Sequence, residues 1–409
     1  MSNVNAPFAS STNYDYIIAG AGGAGLSLLY YILNSPILKN KQILVIDQNL
    51  TKNNDRTWCF WDTETHEFES LVHHHWNTIS IHSAAFSKEL PTYPFAYKML
   101  QGIDFYNHIL SIAKAKSNVH WQETTITKVE TLMNSDSTKE AVVYWEGGFA
   151  KGKQLFTSIL PFQMNNLTSA ISFDEANQTN NSLPFLWQHF KGITVCFDQP
   201  VFNNKVARLM DFNVPQYGAT AFMYLLPFNE KQALVEYTLF SDKILEIPMY
   251  DAVLKEYLIK HYPNAHYTIQ HQEIGAIPMT QQKFATFEAP IYSIGALGLA
   301  IKASTGYAFQ FIQDQCKNIV AQLEQGIAIN TSVHTTRHHF YDAVLLNILF
   351  YHKMEGAEIF KRIFAKNKAA TVFKFLSNTS TLFEDIQIMR SLPTRIFLPA
   401  AIAVLLRRA

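Results

Sequence analysis

Residues 14–47 constrain the fold more than any other part of the chain. Tyr16-Ile17-Ile18-Ala19 is a short apolar run of β-prone residues that stops at Gly20. Gly20-Ala21-Gly22-Gly23-Ala24-Gly25 then places glycine first, third and sixth, and residues 26–33 continue as an apolar helix that Asn34-Ser35-Pro36 breaks. Residues 42–46 read as a second apolar strand, ending at Asp47, 22 residues beyond Gly25. Strand, glycine turn, helix, strand and acid in this order make a dinucleotide-binding unit. Gly20 permits the tight turn, Gly22 lets the backbone approach a pyrophosphate, Gly25 allows close helix–strand packing, and the helix amides face the anion. Asp47 is placed to accept hydrogen bonds from ribose hydroxyls. The turn by itself leaves FAD and NAD open.

A second unit favours FAD. Ile291-Tyr292-Ser293-Ile294-Gly295 reads as an apolar strand entering a loop that carries Gly295, Gly298 and Gly306, with a helix expected over residues 307–323. A single nicotinamide-binding domain needs no such repeat, whereas a flavoprotein uses one toward the ribityl and isoalloxazine end. Between the two units, a helix is expected over residues 104–115, strands over 124–129, 141–145 and 154–159, and a polar loop over 165–181. Residues 191–197, 206–212, 221–226 and 233–240 read as an antiparallel, substrate-facing sheet, and 247–262 as a helix. Residues 58–94 are rich in His and aromatics without clean periodicity. Beyond residue 326 the pattern is helical, with Phe340, Val344, Leu345 and Ile348 on one stripe and a closing segment over 393–399. The class is α/β: a Rossmann-type FAD-binding flavoprotein of the hydroxylase or glutathione-reductase-like kind. Its expected parts are an FAD-binding domain over 12–175, a substrate-binding sheet domain over 176–285, a second FAD-binding part over 286–330 and a helical C-terminal region over 331–409.

Composition sharpens what such a protein would bind. The chain of 409 residues has 30 Phe, 19 Tyr and 6 Trp, while charged residues reach only 16% against the roughly 25% usual in soluble domains. Its 33 basic and 33 acidic residues cancel, so no long-range field recruits nucleic acid or anionic lipid. Cys59, Cys196 and Cys316 lie far apart, which argues against a disulfide framework or zinc knuckle and for a reducing cytoplasm. The polar N-terminus carries no secretory signal pattern. No apolar stretch approaches the roughly 20 residues of a membrane span; the nearest, residues 396–406, is about half that length.

Glu236 is the candidate acid. It interrupts Ala233-Leu234-Val235-Glu236-Tyr237-Thr238-Leu239-Phe240, where alternation puts Leu234, Glu236, Thr238 and Phe240 on one face. Burial there would raise its pKa, the tuning a general acid needs, although a solvent-facing strand glutamate is the commoner case. Glu273 precedes Gly275-Ala276-Ile277-Pro278-Met279, read as a strand bending into a loop, with the carboxylate in a structural role. His73-His74-His75 alternates across an extended chain without further ligands at standard spacing, so no metal is expected.

The glycine turn, Asp55-Arg56-Thr57-Trp58-Cys59-Phe60-Trp61, Gln188-His189-Phe190-Lys191-Gly192, Leu234-Val235-Glu236-Tyr237-Thr238, Gly275-Ala276-Ile277-Pro278-Met279 and Lys302-Ala303-Ser304-Thr305-Gly306-Tyr307 together resemble the FAD-dependent lycopene cyclases, specifically the bacterial lycopene β-cyclase type. The resemblance runs nearly end to end. It implies a redox-neutral, acid-catalysed closure of the linear end groups of lycopene into β-ionone rings, giving β-carotene via γ-carotene. It further implies reduced FAD as cofactor, NAD(P)H as its reductant, and Glu236 as the catalytic carboxylate. Cofactor-binding positions would be Gly20, Gly22, Gly25, Asp47, Arg56, Gly295, Gly298, Lys302 and Gly306. Phe222, Tyr224 and Tyr237 are expected to steady a carbocation. Departures from the family pattern are Ala303 for a common proline and Leu299 for a small residue. Ala296 stands where flavoprotein hydroxylases carry a ribityl aspartate, so tight resting FAD binding is not expected. The implied location is cytoplasmic, peripheral on the inner membrane surface, with residues 396–406 and the following Arg407 and Arg408 as the attachment. Alternatives are a flavin-dependent monooxygenase acting on an apolar substrate and a non-catalytic carotenoid-binding protein. Oligomeric state is left open.

Overall fold

The computed structural model describes residues 13–63, 65–160, 183–285 and 287–408; the polar loop expected over 165–181 lies outside them. The first sheet gathers β1 (Asn13–Ala19), β2 (Ile43–Asp47), β8 (Val119–Glu123), β9 (Ile126–Met133), β10 (Lys139–Trp145), β11 (Gly148–Thr157) and β17 (Ile291–Ser293), in the order β8-β2-β1-β11-β10-β9, with β17 paired to β11. β8, β2, β1, β11 and β17 run parallel to their neighbours, while β9 and β10 form an antiparallel meander with β11. Helices Gly23–Asn34, Gly102–Lys114 and Phe309–Gln325 cover one face of this sheet, burying Leu28, Ile32, Phe105 and Ile319 completely. This is the doubly glycine-bearing nucleotide fold expected from the sequence, with β17 leading into the second loop.

The second sheet contains β5 (Thr78–Ser83), β6 (Phe86–Pro91), β12 (Phe185–Phe197), β13 (Ala207–Asp211), β14 (Thr220–Pro227), β15 (Gln232–Ser241) and β16 (Tyr267–Thr280), in the order β16-β12-β15-β14-β13-β5-β6. It is antiparallel except for the parallel pair β13 and β5, so it draws two strands from residues ahead of the expected substrate domain. The bend expected around Gly275 and Pro278 is absent: β16 runs straight through both. It can do so because it is the edge strand, where a proline removes no ladder donor that a neighbour needs.

A third sheet, of β3 (Thr57–Asp62), β4 (Val72–Trp76) and β7 (Ala96–Gln101) in the order β3-β7-β4, fills the stretch in which no periodicity was visible. Its central strand, β7, is buried on both faces, with Tyr97, Lys98, Met99 and Leu100 all inside, so it shows no two-residue alternation. The C-terminal helices Thr336–Phe350, Gly356–Lys366, Ala369–Leu376, Leu382–Arg390 and Thr394–Arg408 follow. They share one core with the second and third sheets, in which Trp61, Trp76, Phe222, Phe360 and Phe373 are packed together. Much of the aromatic excess is therefore structural. Among the described residues no helix is long and apolar enough to cross a membrane.

Candidate active site

One cleft of about 690 Å³ runs from the glycine turn to the second sheet, lined at one end by Gly20, Gly22 and Asp47 and at the other by Phe222, Tyr224 and Glu236. The turn has the geometry its sequence requires. Gly20 sits at φ +102°, a region side chains rarely adopt. A Cβ on Gly22 would meet nothing within 4 Å, so the backbone lies open to the cleft, whereas one on Gly25 would fall 1.9 Å from the Gly20 carbonyl oxygen. The helix Gly23–Asn34 has no side-chain cap, which leaves its first amides for an anion. Asp47 accepts the Ala21 amide at 2.6 Å and the Asn49 amide at 2.8 Å, so the carboxylate expected to meet a ribose also shapes the turn. Arg56 is exposed at the cleft rim.

The second loop abuts the first: Gly295, at φ +60°, would place a Cβ 2.6 Å from that of Ala24. Gly295 and Gly306 line the cleft, but Gly298 and Lys302 do not. Gly298 is a packing residue, because a Cβ there would lie 2.4 Å from the Ser293 carbonyl oxygen. Lys302 is fully buried and turned into the helical region, its ammonium 2.8 Å from Asp342 Oδ1 and 2.7 Å from Asn378 Oδ1. Lys302, expected from the sequence to bind cofactor, does not line the cleft; its side chain braces the loop from beneath. Leu299, the departure from the family pattern, adopts a left-handed φ of +56°. Gln188 Oε1 and Thr305 Oγ1, both on the cleft, are buried without a hydrogen-bond partner. Such orphans call for a polar ligand. With the open turn, these residues fit a flavin nucleotide.

At the far end, β15 behaves as its alternation predicts. Leu234, Glu236, Thr238 and Phe240 all line the cleft, while Val235, Tyr237 and Leu239 pack into the opposite core. Tyr237 therefore does not face the site; its hydroxyl donates to the Pro215 carbonyl. Phe222 and Tyr224 do face it, and Tyr224 pairs directly with Glu236 across the β14–β15 ladder. The Tyr224 hydroxyl joins those of Tyr97 and, at 3.4 Å, Tyr307. Burial raises the pKa of Tyr224, Tyr307 and the Cys59 thiol, so these groups are neutral at physiological pH.

Glu236 is half-buried and accepts the Thr238 hydroxyl at 2.7 Å. It also shares a hydrogen bond with Glu273, which itself accepts the Thr57 hydroxyl at 2.8 Å. Burial, and then the charge of Glu273, pushes Glu236 up to about 8; burial pushes Glu273 up to about 7. The two titrate as a pair, with Glu236 raised further because the charge of Glu273 adds to its burial. From the sequence Glu273 reads first as a structural carboxylate, and Thr57, Gln188 and Thr305 stand out only within motifs of resemblance. Among the described residues no cluster could hold a metal ion, and the three adjacent histidines lie on β4.

A sequence model of the lycopene cyclase protein family matches residues 15–401. The chain belongs to the lycopene cyclase family. A comparison with curated proteins finds no match for this cyclase-family chain. Among solved structures, it is similar to a geranylgeranyl bacteriochlorophyll reductase-like protein from Thermoplasma acidophilum, with TM-score 0.54, 11% identity, and 96% of this chain and 98% of that one covered. It is also similar to p-nitrophenol 4-monooxygenase from Pseudomonas putida, with TM-score 0.54, 10% identity and 97% and 98% covered. A third is aklavinone-11 hydroxylase in complex with FAD and aklavinone, with TM-score 0.58, 10% identity and 90% and 73% covered. At these identities the likeness establishes the fold, a Rossmann-type flavoprotein with a helical C-terminal region.

Proposed function

We propose that this member of the family is a lycopene β-cyclase, converting lycopene to β-carotene via γ-carotene without net redox change. The observation that carries the reading is a glutamate, Glu236, whose carboxyl is pushed up to about 8 by burial and by Glu273, opening into a largely apolar cleft continuous with the glycine turn. Gly20, Gly22, Asp47, Gly295 and Gly306, with Gln188 and Thr305, would hold FAD. Reduced FAD, when bound, would assist proton addition to the terminal double bond, and NAD(P)H is its expected reductant.

The chain's own part begins at Glu236, which gives its proton to the terminal alkene carbon. That leaves a tertiary carbocation, which the neighbouring double bond attacks to close the ring. A ring proton then passes to a base, so that one proton is added and one removed and the product is an isomer of the substrate. Phe222 and Tyr224 line the same cleft as the acid, where aromatic quadrupoles would favour a cation. The apolar walls exclude water that would otherwise capture it. Expression in lycopene-accumulating cells should yield β-carotene by chromatography, and purified protein with pre-reduced flavin should turn over lycopene anaerobically. An absolute oxygen requirement would instead indicate a monooxygenase.

A C40 hydrocarbon has to be collected from a bilayer, and the C-terminal helices suit that task. Leu398, Ile402, Leu405 and Leu406 are exposed on Thr394–Arg408, and Leu382, Phe383 and Ile386 on the helix before it. From residue 386 onward the sequence holds four arginines and no acid. Each buried Leu contributes roughly 1.5–3 kcal/mol. Replacing Leu398 and Ile402 together by Asp is therefore expected to weaken phosphatidylcholine vesicle binding by at least about tenfold. Cosedimentation unchanged by the double substitution would remove this surface from the proposal.

A further inference from the structure

The hydrogen bond between Glu236 and Glu273 depends on a residue between them. In the sheet order β16-β12-β15, Gly192 of β12 pairs with Glu236 on one side and with Glu273 on the other. A Cβ at Gly192 would lie 3.1 Å from Glu273 Cγ and 3.3 Å from Glu273 Oε1. Any side chain there would occupy the space in which the carboxyls meet. Glu236 lines the cleft whereas Glu273 does not, and Glu273 is only 5% exposed. Thr57 donates to Glu273 from β3, so three strands from two sheets converge on a carboxylate that the substrate does not reach.

We propose that Glu273 is the positioning residue of the acid: seated beside the gap at Gly192 and held by Thr57, its carboxylate takes the hydrogen bond of Glu236 and keeps the shared proton on Glu236. This rests on Glu236 being the acid of the cyclisation. With Glu273 charged, ionising Glu236 would put two carboxylates side by side in a water-poor pocket. The proton is therefore retained at a pH where an isolated glutamate would have lost it. The other titratable groups around the pair are Cys59, Tyr224 and Tyr307, held neutral by burial, and Asp55 and Arg56 at the rim, which act on Glu273 with opposite signs. None of these carries a charge that replaces that of Glu273 beside Glu236.

The test compares Glu273→Gln, Glu273→Asp and Thr57→Val by two readouts: the alkaline limb of kcat for lycopene, and the infrared carboxyl band of the protein titrated without substrate. Glu273→Gln removes the neighbouring charge, so both the limb and the band should move to lower pH by about one unit, with KM unchanged. Glu273→Asp, which keeps the charge, should retain most of the wild-type profile. Thr57→Val removes a donor that stabilises ionised Glu273, so the pair should hold its protons to higher pH, a shift of opposite sign. If Glu273→Gln fails to fold, the Thr57→Val shift decides the matter. Equal losses at every pH, or a band that stays in place in both variants, would overturn the proposal and leave Glu273 a structural carboxylate. Wild-type protein that ignores lycopene but shows the expected band shifts would overturn the cyclase reading while upholding the pairing.

Discussion

Glu236→Gln is expected to abolish ring formation while leaving the protein at least as stable as the wild type at pH 8. The amide is nearly isosteric and can still accept the Thr238 hydroxyl, so the cleft should keep its shape. It has no proton of suitable acidity for an alkene, and general acid catalysis contributes about 10²–10⁴ in rate. Because the uncatalysed protonation of an alkene by water is negligible, product should fall below detection. The stability effect follows from the sign of the pKa shift. Glu236 is raised from 4.5 to about 8 in the folded chain, so between those values the native state holds a proton that the unfolded state has released. Stability is then lost as pH rises through that window. An amide pays no such penalty, and the gain at pH 8 should be on the order of a few kcal/mol. Pigment chromatography and thermal melts at pH 6 and 8 check both halves. Turnover above about a tenth of wild type, or a lower melting temperature at pH 8, would remove Glu236 from the acid's role.

The placement of this acid was legible because it depends on local periodicity. Alternation along β15 is a backbone property, and it put Leu234, Glu236, Thr238 and Phe240 on the cleft face as observed. The glycine turn was legible for a similar reason, since each glycine answers a steric demand set within a few residues. Glu273 was not, because its partner is chosen by the register of two strands on either side of Gly192, and no local pattern encodes that alignment. Tyr237 was misplaced by the same logic in reverse: proximity in sequence to Glu236 suggested a role that the alternation itself denies. The strands between residues 57 and 101 escaped notice for two reasons: β7 is buried along its length and carries no phase, whereas β4 and β6 alternate but place His74 and Lys88 on the inward side, where an apolar residue would signal a strand. Gln188 and Thr305 are recognisable only as buried polar atoms left without partners, a property of the folded cleft.

Lys302→Ala is expected to destabilise the fold by about 3–5 kcal/mol and, through the second glycine loop, to weaken FAD binding without touching the cofactor. Lys302 is 0% and Asp342 3% exposed, so the substitution leaves a buried carboxylate without its countercharge. The Ser304 hydroxyl, which donates to Asp342 at 2.7 Å, supplies one hydrogen bond and no charge. The loop is also joined to the helical region through this pair, since Lys302 reaches Asn378 and its ammonium lies 5.6 Å from the Phe375 ring centroid. Releasing it frees Gly306 and Thr305, which line the cleft beside Gln188. A direct cofactor contact and a strut make different predictions for the double substitution. Replacing both partners, Lys302→Met with Asp342→Leu, removes the unpaired charge, and apolar replacements of buried ion pairs are often neutral or stabilising. The strut reading therefore expects the double variant to recover most of the melting temperature and of the flavin affinity measured by fluorescence titration. A lysine that contacted the cofactor would give the opposite result, restored stability with flavin affinity still lost.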